Sequence, residues 1–198
     1  TFAVPYTFGG GVNTLKVYTS SPNGNTDVNA ANDTITKTYC PGLSGVYTIN
    51  PSGSGSTNYT SFTNAINDLN CGGIYGKVTF NVAAGTYTEQ VNIGNVFGTS
   101  AANTVTFQSA TGVASSVTLT FSSTLSANNY TVRLNGANYI NFRNMTVSAT
   151  NTSYSTAITL LNNASIDSFY NVVFNGVTTT STSTNNAVIY SPSGISNF

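Results

Sequence analysis

Thr131–Val147 reads TVRLNGANYINFRNMTV, and Ile158–Phe174 reads ITLLNNASIDSFYNVVF. Laid over each other without a gap at a shift of 27 residues, they place Leu134 on Leu161, Asn135 on Asn162, Ala137 on Ala164, Phe142 on Phe169 and Asn144 on Asn171. Apolar and polar residues alternate within each copy, which is the period-2 mark of a β-strand. NTVTFQSATG (Asn103–Gly112) precedes the first copy by about one more period, and NNAVIYSPSG (Asn185–Gly194) opens another after the loop TTTSTSTNN. A repeat of this length, built of short strands with no helix, buries its apolar side only by stacking on its neighbours, as a solenoid. The LxxLxLxxN frame of leucine-rich repeats is absent, whereas alternating Val, Ile and Phe with Asn at the bends is present. The expected architecture is therefore all-β, a parallel β-helix with strands of successive coils about 4.8 Å apart. Asn144 and Asn171 would then lie one above the other, where their amides can bond as a ladder.

Upstream of the repeats lies the chain's one helical pattern, TNYTSFTNAINDLNCGG. Phe62, Ala65, Ile66 and Leu69 fall on one apolar face, and Gly72–Gly73 stops the helix. Thr57, Asn58 or Thr60 is expected to cap its start. An open first coil exposes strand edges and apolar interior, and this helix is the natural cover. A Pro/Gly/Ser connector, Pro41–Ser56, precedes it and holds one short strand at Val46–Ile49.

Residues 1–41 differ in kind. NTLKVYTS (Asn13–Ser20) and TITKTYC (Thr34–Cys40) alternate as two strands, each with one wet face, around the turn-rich SPNGNTDVNAAND. Two strands joined by a long polar loop read as the last hairpin of an Ig-like β-sandwich. The domains expected are thus 1–41, the C-terminal strands of an Ig-like domain, and 42–198, a cap and the first coils of an incomplete β-helix. The chain reads as a segment of a longer protein.

Charge narrows the function classes. Five Lys plus Arg balance five Asp plus Glu, His is absent, and charged residues are 5% of the chain against roughly 25% in an ordinary soluble domain. A surface with so little field gives no handle for nucleic acid or an anionic membrane. Disorder is not the alternative, since 39% of residues are hydrophobic. No apolar run approaches the roughly 20 residues of a membrane span.

Several stretches carry a resemblance to known proteins. YTSFTNAINDLN resembles the N-terminal cap helix of the right-handed parallel β-helices of the pectin-lyase-like superfamily. GKVTFNVAAGTYTEQVNI is similar to its first full coil, including the form in pectin methylesterases, and YINFRNMTV and FYNVVFNG resemble its later coils. GGGVNTLKVYTSSPNGNTDVNAANDTITKTYC resembles the closing strands of Ig-like adhesion modules in large bacterial surface proteins. The combination resembles large secreted proteins of Bacteroidetes-type bacteria. That resemblance implies export by type IX secretion and an extracellular, cell-surface location. The fold hosts lyases, esterases, hydrolases and pure adhesins, so it does not choose an activity.

The residues argue against catalysis within this chain. The methylesterase site needs two aspartates and an arginine on adjacent coils, whereas only Glu89 and Asp167 lie in coils. At about 4.8 Å per coil they stand roughly 14 Å apart, beyond the wide carboxyl spacing of an inverting glycosidase, about 6.5–9.5 Å. Arg133 and Arg143, the two coil arginines, have no obvious carboxylate mate. Glu89 sits where strict alternation would bury it unpaired, which is costly. It is therefore expected at a bend, accepting backbone N–H bonds there or meeting the cap helix. No catalytic residue is assigned.

Other candidates are weaker. Cys40 and Cys71, outside any CxxC and without a histidine to complete a zinc site, suit one disulfide in an oxidising compartment, with two small buried thiols as the open alternative. Asp27, Asn29, Asn32 and Asp33 offer oxygen ligands for Ca²⁺ without the glycine and terminal glutamate of an EF-hand loop; an Asx-rich turn is the plainer reading, and no other cofactor or metal is expected. Asp33–Ile35 matches the Asp-Ser/Thr-aliphatic O-glycosylation pattern of the resembled bacteria, which marks Thr34. Tyr130, Tyr139, Tyr154 and Tyr170 are candidate sugar-stacking aromatics. Threonine pairs such as those in VTLTF suggest an ice-binding face, but no TxT recurs at the coil period, so none is expected. The resulting expectation is a non-catalytic structural and adhesive segment of a secreted surface protein, with surface glycans or other cell-surface proteins as partners. The alternative is the N-terminal part of a polysaccharide-active enzyme whose catalytic coils follow residue 198.

Overall fold

A computed structural model describes residues 13–18, 24, 34–180 and 182–192. The chain divides into two compact units, Thr1–Pro41 and Gly42–Phe198. In the first, β1 (Asn13–Tyr18) and β2 (Thr34–Tyr39) pair antiparallel, with Asn13 opposite Tyr39 and Tyr18 opposite Thr34. The alternation there leads one to expect a buried face. Instead Leu15 and Ile35 are about half exposed, at 45% and 53%, and every residue of β2 is exposed. Among the described residues, this pair has no core of its own.

Among its described residues, the second unit is mostly parallel β-structure with one α-helix. β3 (Leu43–Ile49), β4 (Asn58–Tyr59), α1 (Phe62–Gly72), β5 (Ile74–Val82), β6 (Gly85–Thr88) and β7 (Val91–Ile93) come first. β8 (Val105–Ser109), β9 (Val117–Phe121), β10 (Val132–Asn135), β11 (Ile140–Ala149), β12 (Ile158–Leu161), β13 (Ser168–Asn175) and β14 (Ile189–Tyr190) follow. One four-stranded sheet runs β14-β12-β10-β7, all parallel. The larger sheet runs β4-β3-β5-β8-β11-β9-β6, with β13 also on β11, again all parallel.

The larger sheet curls strongly because β11 serves two neighbours. Ile140–Arg143 pairs with β8, while Thr146–Ala149 pairs with β9. The strand bends between these halves at Asn144, whose φ is +52°, and β13 bends in step at Asn171, φ +50°. Asparagine is among the few side chains that tolerate this left-handed backbone. The Asn171 Nδ2 donates to Asn144 Oδ1 at 2.9 Å, so the expected amide pair forms at the bend.

Inward residues build a continuous core. Phe80, Phe107, Phe142 and Phe169 stack with centroids 4.8, 5.3 and 5.7 Å apart and rings within 16° of parallel. Tyr87, Leu119, Val147 and Phe174 form the matching inward file on the other limb of the curl. α1 covers one side with Phe62, Ala65, Ile66 and Leu69, all buried, and the Phe62 ring meets Tyr87 edge-on at 5.1 Å.

Four details differ from the sequence reading. The helix is capped by Ser61, whose hydroxyl accepts from Asn64 N at 3.1 Å, not by Thr57, Asn58 or Thr60. Asn58–Tyr59 is held extended by pairing with β3, which delays the helix to Phe62. β3 starts at Leu43 rather than Val46, through an irregular pairing with Ile74. In the repeat, Leu134 faces Leu160 instead of Leu161. The following turn of the first copy uses Gly136, φ +72°, where the second uses Asn162 and Asn163, φ +51° and +60°. That extra residue restores the 27-residue step by Asn138 and Ser165.

The fourth difference concerns threonine. Thr86, Thr118 and Thr146 are successive register partners, as are Thr88, Thr120 and Ser148. Two files of hydroxyls therefore do line the sheet, hidden in the sequence because loops of unequal length separate them. They are not an open array, since Thr146 is buried and donates to the Ala114 carbonyl of an overlying turn at 3.1 Å.

Cys40 and Cys71 are joined as a disulfide, which points to an oxidising compartment. Among the described residues no helix is long and apolar enough to cross a membrane.

Candidate functional site

The four-stranded sheet β14-β12-β10-β7 turns Val91, Ile93, Val132, Leu134, Ile158 and Leu160 into the core. Alternation sends the residues between them outward. Asn92, Arg133, Thr159 and Tyr190 are therefore register partners across four strands and form one outward row. Two loops rise beside that row. One follows β9 and includes Ser126, Ala127 and Asn129; the other precedes β14 and includes Thr184 and Asn185. Between them lies a cavity of about 260 Å³, lined also by Thr156 and Leu161.

Hydrogen bonds fix both walls. Ser123 Oγ donates to Asn128 O at 2.7 Å, and Gln90 Nε2 donates to the carbonyls of Asn128 and Tyr130 at 2.7 and 2.8 Å. Asn129 spans the cleft wall, donating from Nδ2 to Asn185 O at 2.7 Å and accepting at Oδ1 from Thr156 N at 3.1 Å. Ser126 Oγ donates to Asn185 Oδ1 at 3.3 Å. With its backbone and amides already engaged, the cleft is preformed rather than assembled on binding.

Arg133 supplies the cleft's one formal charge among the described residues. Its guanidinium lies 3.8 Å from the centroid of the Tyr130 ring, a cation–π contact. Nη2 donates to Ala127 O at 3.1 Å. Nε is buried with no hydrogen-bond partner, and no carboxylate stands among the lining residues.

The described acids are committed elsewhere. Glu89 accepts from the backbone N–H groups of Phe62 and Thr63 and from the Thr63 hydroxyl, tying the first coil to α1. Asp68 accepts from the Tyr59 hydroxyl at 2.9 Å; burial first, then that bond and the Asp68 charge, push the Tyr59 phenol well above its ordinary value. Asp167 accepts from Ile140 N at 2.8 Å through Oδ1, while Oδ2 is buried without a partner. Burial pushes its carboxyl up to about 7, against the lowering effect of the Ile140 bond. It lines a separate, largely apolar cavity of about 660 Å³ with Leu160, Ala164, Ile166, Phe169 and Ile189.

The remaining candidates scatter. Thr34 opens β2 and is exposed. Asp27, Asn29, Asn32 and Asp33 lie outside the described residues, and among the described ones no three His, Cys, Asp or Glu side chains gather to hold a metal. Arg143 is exposed on the larger sheet, beside Gln108 and Tyr170 in the register. Tyr130 is buried, at 8% exposure, beneath Arg133 and offers no free ring face, whereas Tyr170 is 67% exposed. Sequence reasoning missed Ser126, Asn129 and Asn185. Their meeting across 56 residues of chain is set by loops whose conformation follows no periodicity.

No family model and no curated protein matches the chain.

Proposed function

We propose that Gly42–Phe198 is the beginning of a right-handed parallel β-helix, preceded by the closing strands of an Ig-like domain, in a large secreted cell-surface protein. Within it the segment acts without catalysis, as a structural stalk that holds surface glycans. The β-helix reading rests on parallel strands stacked one on the next, some at a step of 27 residues, as Asn141 with Ser168 and Val78 with Val105, and others at longer steps where loops intervene, as Val105 with Ile140. The disulfide and the uncharged Ser/Thr/Asn surface suit an exported location.

The observation that carries the functional reading is the cleft at Arg133. It gathers hydroxyls, amides and one unmatched cation, and no carboxylate lines it. General acid–base cleavage of a sugar chain needs two positioned carboxyls, whereas holding one needs hydrogen-bonding groups and a fixed wall. Incubating the chain with polysaccharides and scoring both retention and new chain ends tests this. Retention without new ends is the expected result. Release of shortened or de-esterified products would overturn it in favour of an enzyme.

A further inference from the structure

Resting on that adhesive reading, we infer that the Arg133 cleft selects an anionic saccharide unit, whose carboxylate or sulfate ester meets the Arg133 guanidinium while its hydroxyls meet the walls.

Arg133 has unmet bonding capacity. A guanidinium carries five N–H donors in one plane. Here one Nη2 N–H is given to Ala127 O, the ring of Tyr130 takes a face and Nε is buried out of a ligand's reach, while the other terminal N–H groups make no hydrogen bond to the described residues. An acceptor in the cleft can take those terminal N–H groups, and an anionic one bonds about twice as strongly as a neutral one. Arginine is also suited to planar, two-point recognition of such groups.

Position supports the same choice. Stacking on Tyr130 and the bond to Ala127 fix the guanidinium where it lines the cavity. Around it the hydroxyls of Thr184 and Tyr190 and the Asn185 Nδ2 offer uncharged groups of the kind that sugar hydroxyls match, whereas the Ser126 and Thr159 hydroxyls already donate to Asn185 Oδ1 and Asn129 O. A cavity of about 260 Å³ lies below the roughly 300–1,000 Å³ of drug-sized sites, so it suits a single sugar unit. The molecule has no net charge, so this attraction is local to one side chain and not a general affinity for polyanions.

The test compares oligosaccharides of dextran, hyaluronate and dextran sulfate by calorimetry on the full chain. They present no anion, a carboxylate and a sulfate ester respectively. Binding of either charged series at least tenfold tighter than dextran is expected, and which series binds identifies the anionic group. Arg133→Ala should remove that preference. Because Arg133→Ala also loses the Tyr130 contact, Ala127→Glu provides the second arm. It sets a carboxylate on an exposed residue beside the guanidinium, and should abolish the preference while leaving the thermal unfolding midpoint within a degree or two. Equal binding of dextran and the charged series, or a preference that survives Ala127→Glu, overturns the inference while leaving the adhesive reading intact. Absence of binding to all three counts against both, and turnover of a bound charged chain refutes only the non-catalytic reading.

Discussion

Glu89 Oε2 accepts from Thr63 N at 2.8 Å and from Thr63 Oγ1 at 2.6 Å, across 26 residues of sequence. Its other oxygen accepts from Phe62 N at 3.1 Å. The first N–H groups of a helix have no partner within it and carry positive dipole charge. α1 has no acidic residue in its own first turn, so a strand-side carboxylate supplies what a local one would. Glu89→Ala should lower the stability of the chain by about 1–3 kcal/mol. Glu89→Gln, which keeps the acceptor but not the charge, should cost roughly half as much. Denaturant midpoints at unchanged m-value measure both. A Glu89→Ala midpoint equal to that of the parent would mean the contact contributes nothing.

Phe107 sits between Phe80 and Phe142, with centroids 4.8 and 5.3 Å away, and is fully buried. Phe107→Ala removes a ring from the middle of a stack that cannot collapse, because the strands on both sides are fixed by backbone pairing. A loss of about 3–5 kcal/mol is expected, with Phe107→Leu costing about 1–1.5 kcal/mol. Tyr170→Ala, on an exposed position, should stay within about 0.5 kcal/mol of the parent. Thermal melts of the three variants that failed to follow this order would contradict the stack as a source of stability.

Asn144 combines a left-handed backbone with a side-chain bond to Asn171, and two substitutions separate those roles. Asn144→Gly loses the amide pair, about 0.5–1.5 kcal/mol, but accepts the positive φ. Asn144→Ala loses the pair and also strains the bend, adding about 1 kcal/mol. Alanine should therefore be the worse replacement, although it is the better strand residue elsewhere. If glycine proves the more destabilising of the two in equilibrium unfolding, the bend is not what fixes asparagine here.

Much of the second unit could be read from the sequence because its physics is periodic. Alternation identified Val78, Phe80 and Val82 as inward, and the 27-residue step placed Phe142 over Phe169 and Asn144 over Asn171, where they are found. The apolar face of α1 followed from helical spacing alone. Periodicity gave less where loops differ in length. The one-residue turn difference between Gly136 and Asn162–Asn163 displaced the partner of Leu134, and unequal loops hid the threonine files. In β1 and β2 alternation was present, yet burial did not follow, since alternation states which residues share a side and not what covers it. The cleft was the least legible feature: Arg133 stood out only as a cation without a carboxylate, and its neighbours arrive from loops fixed by side-chain-to-backbone bonds such as Asn129 to Asn185.

Asp167 gives the chain a pH dependence of unusual sign. Its carboxyl is pushed up to about 7 by burial, whereas in the unfolded chain it titrates near the ordinary aspartate value of about 3.9. Between roughly pH 4 and 7 the unfolded chain has released a proton that the folded chain keeps. Stability from this group therefore falls as pH rises through that window and is level above it, opposite to the usual paired carboxylate. The loss is on the order of 1–3 kcal/mol once its partial contact with solvent is allowed for. Asp167→Asn retains an acceptor for Ile140 N and cannot ionise, so it should match the parent near pH 4 and exceed it at pH 8. Denaturant unfolding of both proteins across this range measures the difference directly. Parallel pH profiles for the two would show that Asp167 is not held in its neutral form by the fold.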